Sequence, residues 1–483
     1  MSVFSQEGTG RRGVMAEKIV INPFTRISGF MEIVVIIENG IVIDAKSKGL
    51  MFRGFEKMLI GRNPFDAVYF TERICGICST AHAVASSMAL EKCLEIIPSE
   101  QGRYLRDIIH GCEFLQNHIR HFYQFTIPGF IKLPQTYSYL QSSENDFRLP
   151  KNINNIIAEH YFDSLEFSRN AHQMLAILGG KAPHNHGAFI GGITTQATAD
   201  KIIGMKSILD GLESFIDEKM IPDVYKIAGF YPELYEYGGG NGNFLTYGCF
   251  SGYKELGTLY VNPSVYYDNI LSDFYENEIT EESYSSWYKD NNNKNDRFVD
   301  IDYDVEKPNA YSWIKTAKYK NMFFEVGPLA RQWCCGAYRR GISAMDRIIA
   351  RVLEAKKIAV IIKTLLNNLK PNVNLQQKYE IPISARGAGL IDTTRGALGH
   401  WISIEDRLIK TYQIITPSVW NLSPQGTDNK HGPVEQALIG APVRNTKSPV
   451  EVGRIVRSFD PCVSCATHVY TNNECIKTIR MVL

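Results

Sequence analysis

Four cysteines constrain this chain more than any other feature. Cys75 and Cys78 form one CxxC pair near the start, Cys462 and Cys465 form a second near the end, and 387 positions separate them. Two residues between cysteines let both sulfurs reach one metal, and thiolates select soft or borderline ions. Zinc ribbons that use two such pairs hold them roughly 15–20 residues apart, because they staple small domains. A site that ties the two ends of a long chain requires a fold that brings those ends together, with the metal buried at the centre. On spacing alone, a structural zinc, an iron–sulfur cluster and another transition-metal centre all remain open.

The 483 residues suffice for a large core, and by length alone for two to four domains. Hydrophobic residues make up 44% and charged residues 21%, ordinary globular values. A net charge of +1 argues against a nucleic-acid protein, whose affinity rests on clustered phosphate-neutralising charge. No apolar run approaches the ~18 residues needed to cross a bilayer. The start, "MSVFSQEGTGRRGVMAEK", has an Arg pair without an apolar stretch behind it and does not read as a secretory signal. The other cysteines, Cys93, Cys112, Cys249, Cys334, Cys335 and Cys475, are scattered. They read as small buried apolar side chains rather than a disulfide framework.

In "MEIVVIIENGIVIDAKS", two β-branched runs meet at Asn39-Gly40, a hairpin signal because both residues tolerate positive φ. The stretch after Phe52 turns helical, with Pro64 expected in a first helical turn, and helical spacing recurs over 102–125, 154–178 and 341–369, where Pro371 ends it. "KYEIPISARGAGLID" promises more strand, and "KDNNNKNDR" at 289–297 a surface loop. No repeat and no clean linker divides the chain. The expectation is one helix-rich α+β unit, a large multihelical core with peripheral β-hairpins and sheets. Within it we expect an N-terminal arm (1–18), a hairpin region (19–60), a helical core (61–380), a metal-binding region (381–468) and an extension (469–483).

The words around the cysteines carry further information. "RICGICSTAH" and "DPCVSCATH" resemble the large subunit of the nickel–iron hydrogenases. So, in the family's order, do "NPFTRISGF", "FRGFEKMLIGRNPFDA", "HIRHFY", "GGKAPH", "YSWIKTAKY", "EVGPLAR", "TRGALGHW" and "PSVWNLSP". The resemblance runs from about residue 19 to residue 468. It implies that all four cysteines bind nickel, with Cys75 and Cys462 terminal and Cys78 and Cys465 bridging to an iron that carries cyanide and carbon monoxide, an Ni-Fe(CN)2CO centre. The reaction implied is reversible heterolytic cleavage of H2, with the hydride between the metals and the Cys462 thiolate as first proton acceptor. Electrons would leave through iron–sulfur clusters held only by a partner small subunit.

By the same resemblance Arg395 lies over the open coordination site, Ser418 hydrogen-bonds a cyanide, Asp460 orients Arg395, and His82 donates to a ligating sulfur. Glu56, His468 and a main-chain carbonyl near Ile414 resemble the ligands of a distal magnesium (or iron) site. The tail "VYTNNECIKTIRMVL" resembles the extension that a maturation endopeptidase removes after His468 once insertion factors have delivered nickel. The family's membrane-bound members imply a membrane-associated heterodimer, exported on the small subunit's twin-arginine signal and passing electrons to a cytochrome b or another acceptor; a cytoplasmic one is the alternative.

Three positions depart from the family's pattern. Ser28 stands where a glutamate usually takes the proton from the terminal cysteine, so that Ser28 with a water, or Arg395 with Asp460, is left to relay it. Thr394 replaces a common proline, and Gly129 a common aspartate. An H2-sensing subunit shares the same site. The related quinone-module subunit of complex I lacks the paired cysteines, and a structural zinc protein leaves the Arg395 and Ser418 stretches without a purpose.

Overall fold

A computed structural model describes residues 16–134, 136, 146–290, 294–299, 302–375 and 377–463. Cys465, His468, the 469–483 extension and most of the N-terminal arm lie outside the described residues. Asn39 and Gly40 take φ of 53° and 76°, and the turn they form pairs the strands Met31–Glu38 and Ile41–Gly49 antiparallel. Glu17–Ile21 adds to the other edge of Met31–Glu38. Met31, Ile33, Val35 and Ile37 alternate into the core from this sheet.

Three long helices make the body. Glu100–Arg120 is capped by the Ser99 side chain and runs on into a π-helical segment, His121–Thr126. Lys151–Gly179 spans 29 residues and stops where Gly180 takes φ 79°. Ala344–Asn367 opens with a capping box in which Ser343 and Asp346 bond each other's backbone. The Glu100 helix packs against both of the others. All three fall where helical spacing was read. Pro64 differs: it precedes the short helix Asp66–Glu72, whose N-cap is Phe65. The helices Ala199–Phe215 and Val450–Ser458 were not anticipated.

The strand expected near 378–392 is Ser384–Thr393, and it begins a larger sheet, pairing antiparallel with Gly396–Glu405, which pairs with Leu408–Ile415. The helix Ser79–Cys93 lies across the first of these strands. Glycine is required at the crossing: a Cβ at Gly389 would sit 1.9 Å from the Ala85 carbonyl oxygen, and one at Gly387 2.2 Å from that of Ala89. Bare strand backbone thus seats the helix that follows the first cysteine pair. One continuous apolar core runs from Phe24 to Val463. None of the described helices is long and apolar enough to cross a membrane.

Candidate metal centre

Two segments far apart in the sequence meet as neighbouring backbones. Ser28 and Cys462 form a parallel bridge: Ser28 N donates to Pro461 O at 3.2 Å, and Val463 N donates to Ser28 O at 2.7 Å. The first cysteine pair comes from a tight turn that ends in the Ser79–Cys93 helix, with Cys78 as its N-cap. In that turn Ile77 N and Cys78 N donate to Cys75 Sγ at 3.3 and 3.4 Å. Cys75 Sγ then lies 3.2 Å from Cys462 Sγ, and the sulfurs of Cys75, Cys78 and Cys462 are all within 4.8 Å of one another. Thiolates on one ion at ~2.3 Å stand about 3.8 Å apart in a tetrahedron. All three cysteines are buried, and the donor set fits a soft metal.

Arg395 stands beside them, on the two-residue turn between Ser384–Thr393 and Gly396–Glu405. Its Nε donates to Asp460 O at 3.0 Å, and its Nη2 to Asp460 Oδ1 at 3.1 Å and Asn117 Oδ1 at 2.9 Å. Asn117 closes the ring by donating Nδ2 to Asp460 Oδ2 at 2.9 Å. Asp460 holds φ 54°, a conformation its short carboxylate tolerates better than most side chains do. Nη1 of Arg395 is buried and has no hydrogen-bond partner among the described residues. Burial disfavours the guanidinium charge, but Asp460 and the thiolates of Cys462, Cys78 and Cys75 outweigh it and push the pKa well up. Burial likewise opposes ionisation of Asp460, and Arg395, His121 and Arg351 together overcome it and hold the carboxyl below its usual range.

Ser418, in the short helix Pro417–Asn421, accepts from Cys462 N at 3.1 Å through Oγ, which leaves the hydroxyl hydrogen for another acceptor. His82 Nδ1 lies 3.0 Å from His400 Nε2, and His400 Nδ1 lies 2.8 Å from the Tyr412 hydroxyl, which donates to Ser86 Oγ at 3.0 Å. Burial pushes the His82 pKa down to about 4, so the ring is neutral at ordinary pH. Glu56, in the helix Phe55–Leu59, accepts from Ile414 N at 3.2 Å. Burial lifts its pKa to about 7 although Lys315 pulls it down.

Among the residues expected at the site, the structure thus gathers Ser28, Cys75, Cys78, Arg395, Ser418, Asp460 and Cys462, and puts Glu56 on Ile414. Thr394 is buried in the Arg395 turn, and Gly129 O accepts from Arg454 Nη2 at 2.7 Å. Asn117 and His400 were not expected. Asn117 lies on a helix already rich in polar residues, between Gln116 and His118, so no sequence signal set it apart; His400 was in view in "TRGALGHW" but passed over.

The family described as nickel-dependent hydrogenase matches residues 53–141, 132–341 and 337–468. The periplasmic [NiFeSe] hydrogenase large subunit of Desulfomicrobium baculatum is 34% identical, over 94% of this chain and 95% of that one. The hydrogenase-2 large chain of Escherichia coli K12 is 30% identical, over 94% and 98%. The solved structure of the H2-activated D. baculatum [NiFeSe] hydrogenase superposes with a TM-score of 0.90 at 34% identity, covering 94% of this chain and all of that one. The reduced [NiFeSe] hydrogenase of D. vulgaris Hildenborough does so with 0.90 at 33%. Matched along nearly its whole length in sequence and in fold, the chain belongs to the nickel-dependent hydrogenases, as a large subunit.

Proposed function

We propose that this chain cleaves H2 heterolytically and reversibly at an Ni-Fe(CN)2CO centre held by Cys75, Cys78, Cys462 and Cys465, and that electrons pass to an iron–sulfur small subunit. The observation that carries the reading is the buried trio of thiols within 4.8 Å beside an arginine whose Nη1 lacks a partner among the described residues. When bound, the centre supplies Lewis-acid and one-electron chemistry. The chain supplies the rest. Arg395, fixed by Asp460 and Asn117, offers Nη1 as a rigid donor at a dry site, where preorganised charge acts most strongly. Ser418 offers its hydroxyl hydrogen to a second diatomic ligand, and His82 a ring nitrogen to a ligating sulfur. Cys462 Sγ takes the first proton, and Ser28, whose backbone is zipped to Cys462, stands next to it.

A distal magnesium (or iron) held by Glu56, the Ile414 main chain and His468 completes the set; an acid and a carbonyl suit magnesium. Removal of the tail after His468, nickel insertion by dedicated factors, and membrane association through a small subunit with a twin-arginine signal and a cytochrome b acceptor belong to the same reading. Metal analysis and infrared spectroscopy of the purified heterodimer test it. Nickel and iron in near-equal amount, with sharp bands of metal-bound carbon monoxide and cyanide, are expected. Zinc alone in a chain whose C-terminal mass shows the tail removed would sink it.

A further inference from the structure

Ser28 leaves the outgoing proton without a group able to hold it, because a hydroxyl has no charged form accessible at neutral pH. A buried carboxylate stands at the head of the helix that follows the first cysteine pair. Glu113, on the Glu100–Arg120 helix, is 2% exposed. Its Oε2 accepts from Thr80 N at 2.7 Å and its Oε1 from Ala81 N at 3.0 Å, both in the first turn of the helix whose N-cap is Cys78. The Thr80 hydroxyl also bonds Glu113 and is itself bonded by Asn185 Nδ2 at 3.2 Å. Near enough for the two carboxylates to repel lies Glu72, fully buried, with neither carboxylate oxygen hydrogen-bonded among the described residues. The exposed Arg73 reaches to 3.6 Å from Glu72 Oε2, and Lys181 also bears on it from the loop after the Lys151–Gly179 helix.

Capping explains part of this, since Cys78 provides no side-chain cap and Glu113 accepts in its place. A cap needs no charge, however, and it leaves Glu72 unexplained: a second buried acid with no hydrogen bond, repelled by the first. Burial lifts the Glu113 pKa to about 7, against the pull of the Thr80 and Ala81 amides and of Arg395. A group poised there takes up and gives up protons with equal ease at neutral pH.

Resting on the hydrogenase reading above, we propose that Glu113 receives the proton leaving the cysteine centre of this chain and that Glu72 passes it to solvent beside Arg73 and Lys181. One proton leaves a cysteine Sγ, resides on the Glu113 carboxylate, and exits as another enters; no electron travels this way. The acid missing from the early motif is thus replaced from a different helix, on the side of the centre that carries Cys78.

The test uses the heterodimer, with nickel content measured first; a parent enzyme without nickel refutes the hydrogenase reading rather than this one. Para–ortho conversion of H2 reports splitting alone, whereas isotope exchange with D2O requires the proton to leave. In Glu113→Gln, exchange should slow about 100-fold or more while para–ortho conversion persists, and Glu113→Asp should recover part of it. Glu72→Gln should slow exchange in the same sense. Independently of turnover, the infrared band of a protonated carboxylic acid that titrates near neutrality should vanish in Glu113→Gln. Exchange at the parent rate, loss of splitting and exchange together in a nickel-replete variant, or an unchanged carboxyl band would each overturn the proposal.

Discussion

Arg395 shows how much one side chain depends on its holders. Its guanidinium spends Nε and Nη2 on Asp460 and Asn117, and that grip aims the remaining nitrogen. Lysine carries the charge but not the planar fork, so Arg395→Lys should keep nickel and lose about 100-fold or more in H2 turnover; metal analysis beside an activity assay checks both halves. Arg395 and Asp460 were legible because they sit inside recognisable words. Asn117 was not: an amide on a helix is usually a surface residue, and only the folded chain places it between those charges. His110 is a different case. Its ring packs on Phe114 and Phe250, and neither nitrogen has a partner among the described residues. Burial pushes its pKa from 6.5 to about 3. The unfolded chain therefore binds a proton between those values that the folded chain refuses, and stability falls as pH drops through this window, by about 1.4 kcal/mol per unit. His110→Phe should flatten that acid slope and raise stability at neutral pH by about 1 kcal/mol, as read from urea titrations at several pH values.

The glycines under the Ser79–Cys93 helix couple element packing to metal chemistry. Alanine at Gly389 would drive a methyl to 1.9 Å from Ala85 O, a backbone atom that cannot swing aside. Gly389→Ala should therefore shift the helix together with the cysteine turn at its head, lowering nickel occupancy and the melting temperature together. A variant with full nickel and unchanged melting would show that the helix is not seated by that strand. Helix 344–367 was readable from its periodicity, whereas the sheet under the Ser79–Cys93 helix was only partly so. Gly396–Glu405 is buried at every position but the last, and a strand covered on both faces has no alternation to betray it. The helix Val450–Ser458 hides for a related reason: Glu451, Arg454 and Arg457 read as surface charge but are buried, each with its own partner or strap. Glu451 accepts from Arg444, Arg454 Nη2 donates to Gly129 O, and Arg457 Nε donates to Thr25 O.

Across the whole molecule, buried charge ties distant segments that the apolar core merely surrounds. Arg331 donates to Glu354 on the long helix and to Asp392 on the C-terminal sheet, and Glu354 also meets His118 at 2.7 Å. Burial alone would raise the Glu354 carboxyl, yet Arg331 and His118 hold it at about 2, below its ordinary 4.5. That stabilisation is complete above 4.5 and is lost as pH falls through about 2. Glu354→Ala would leave Arg331 with half its counter-charge and should cost about 3–5 kcal/mol in chemical denaturation. The bridge between Ser28 and Cys462 has a consequence in time. A ribosome adding ~5–20 residues per second needs roughly 20–80 s to travel the 387 positions from Cys75 to Cys462. Throughout that interval the first cysteine pair exists as a half-built socket, open to oxidants and to whatever stray cation arrives first. Only when the Cys462 backbone slots against Ser28 does the third thiol join the first pair, so the cluster of Cys75, Cys78 and Cys462 cannot exist until Cys462 has been made.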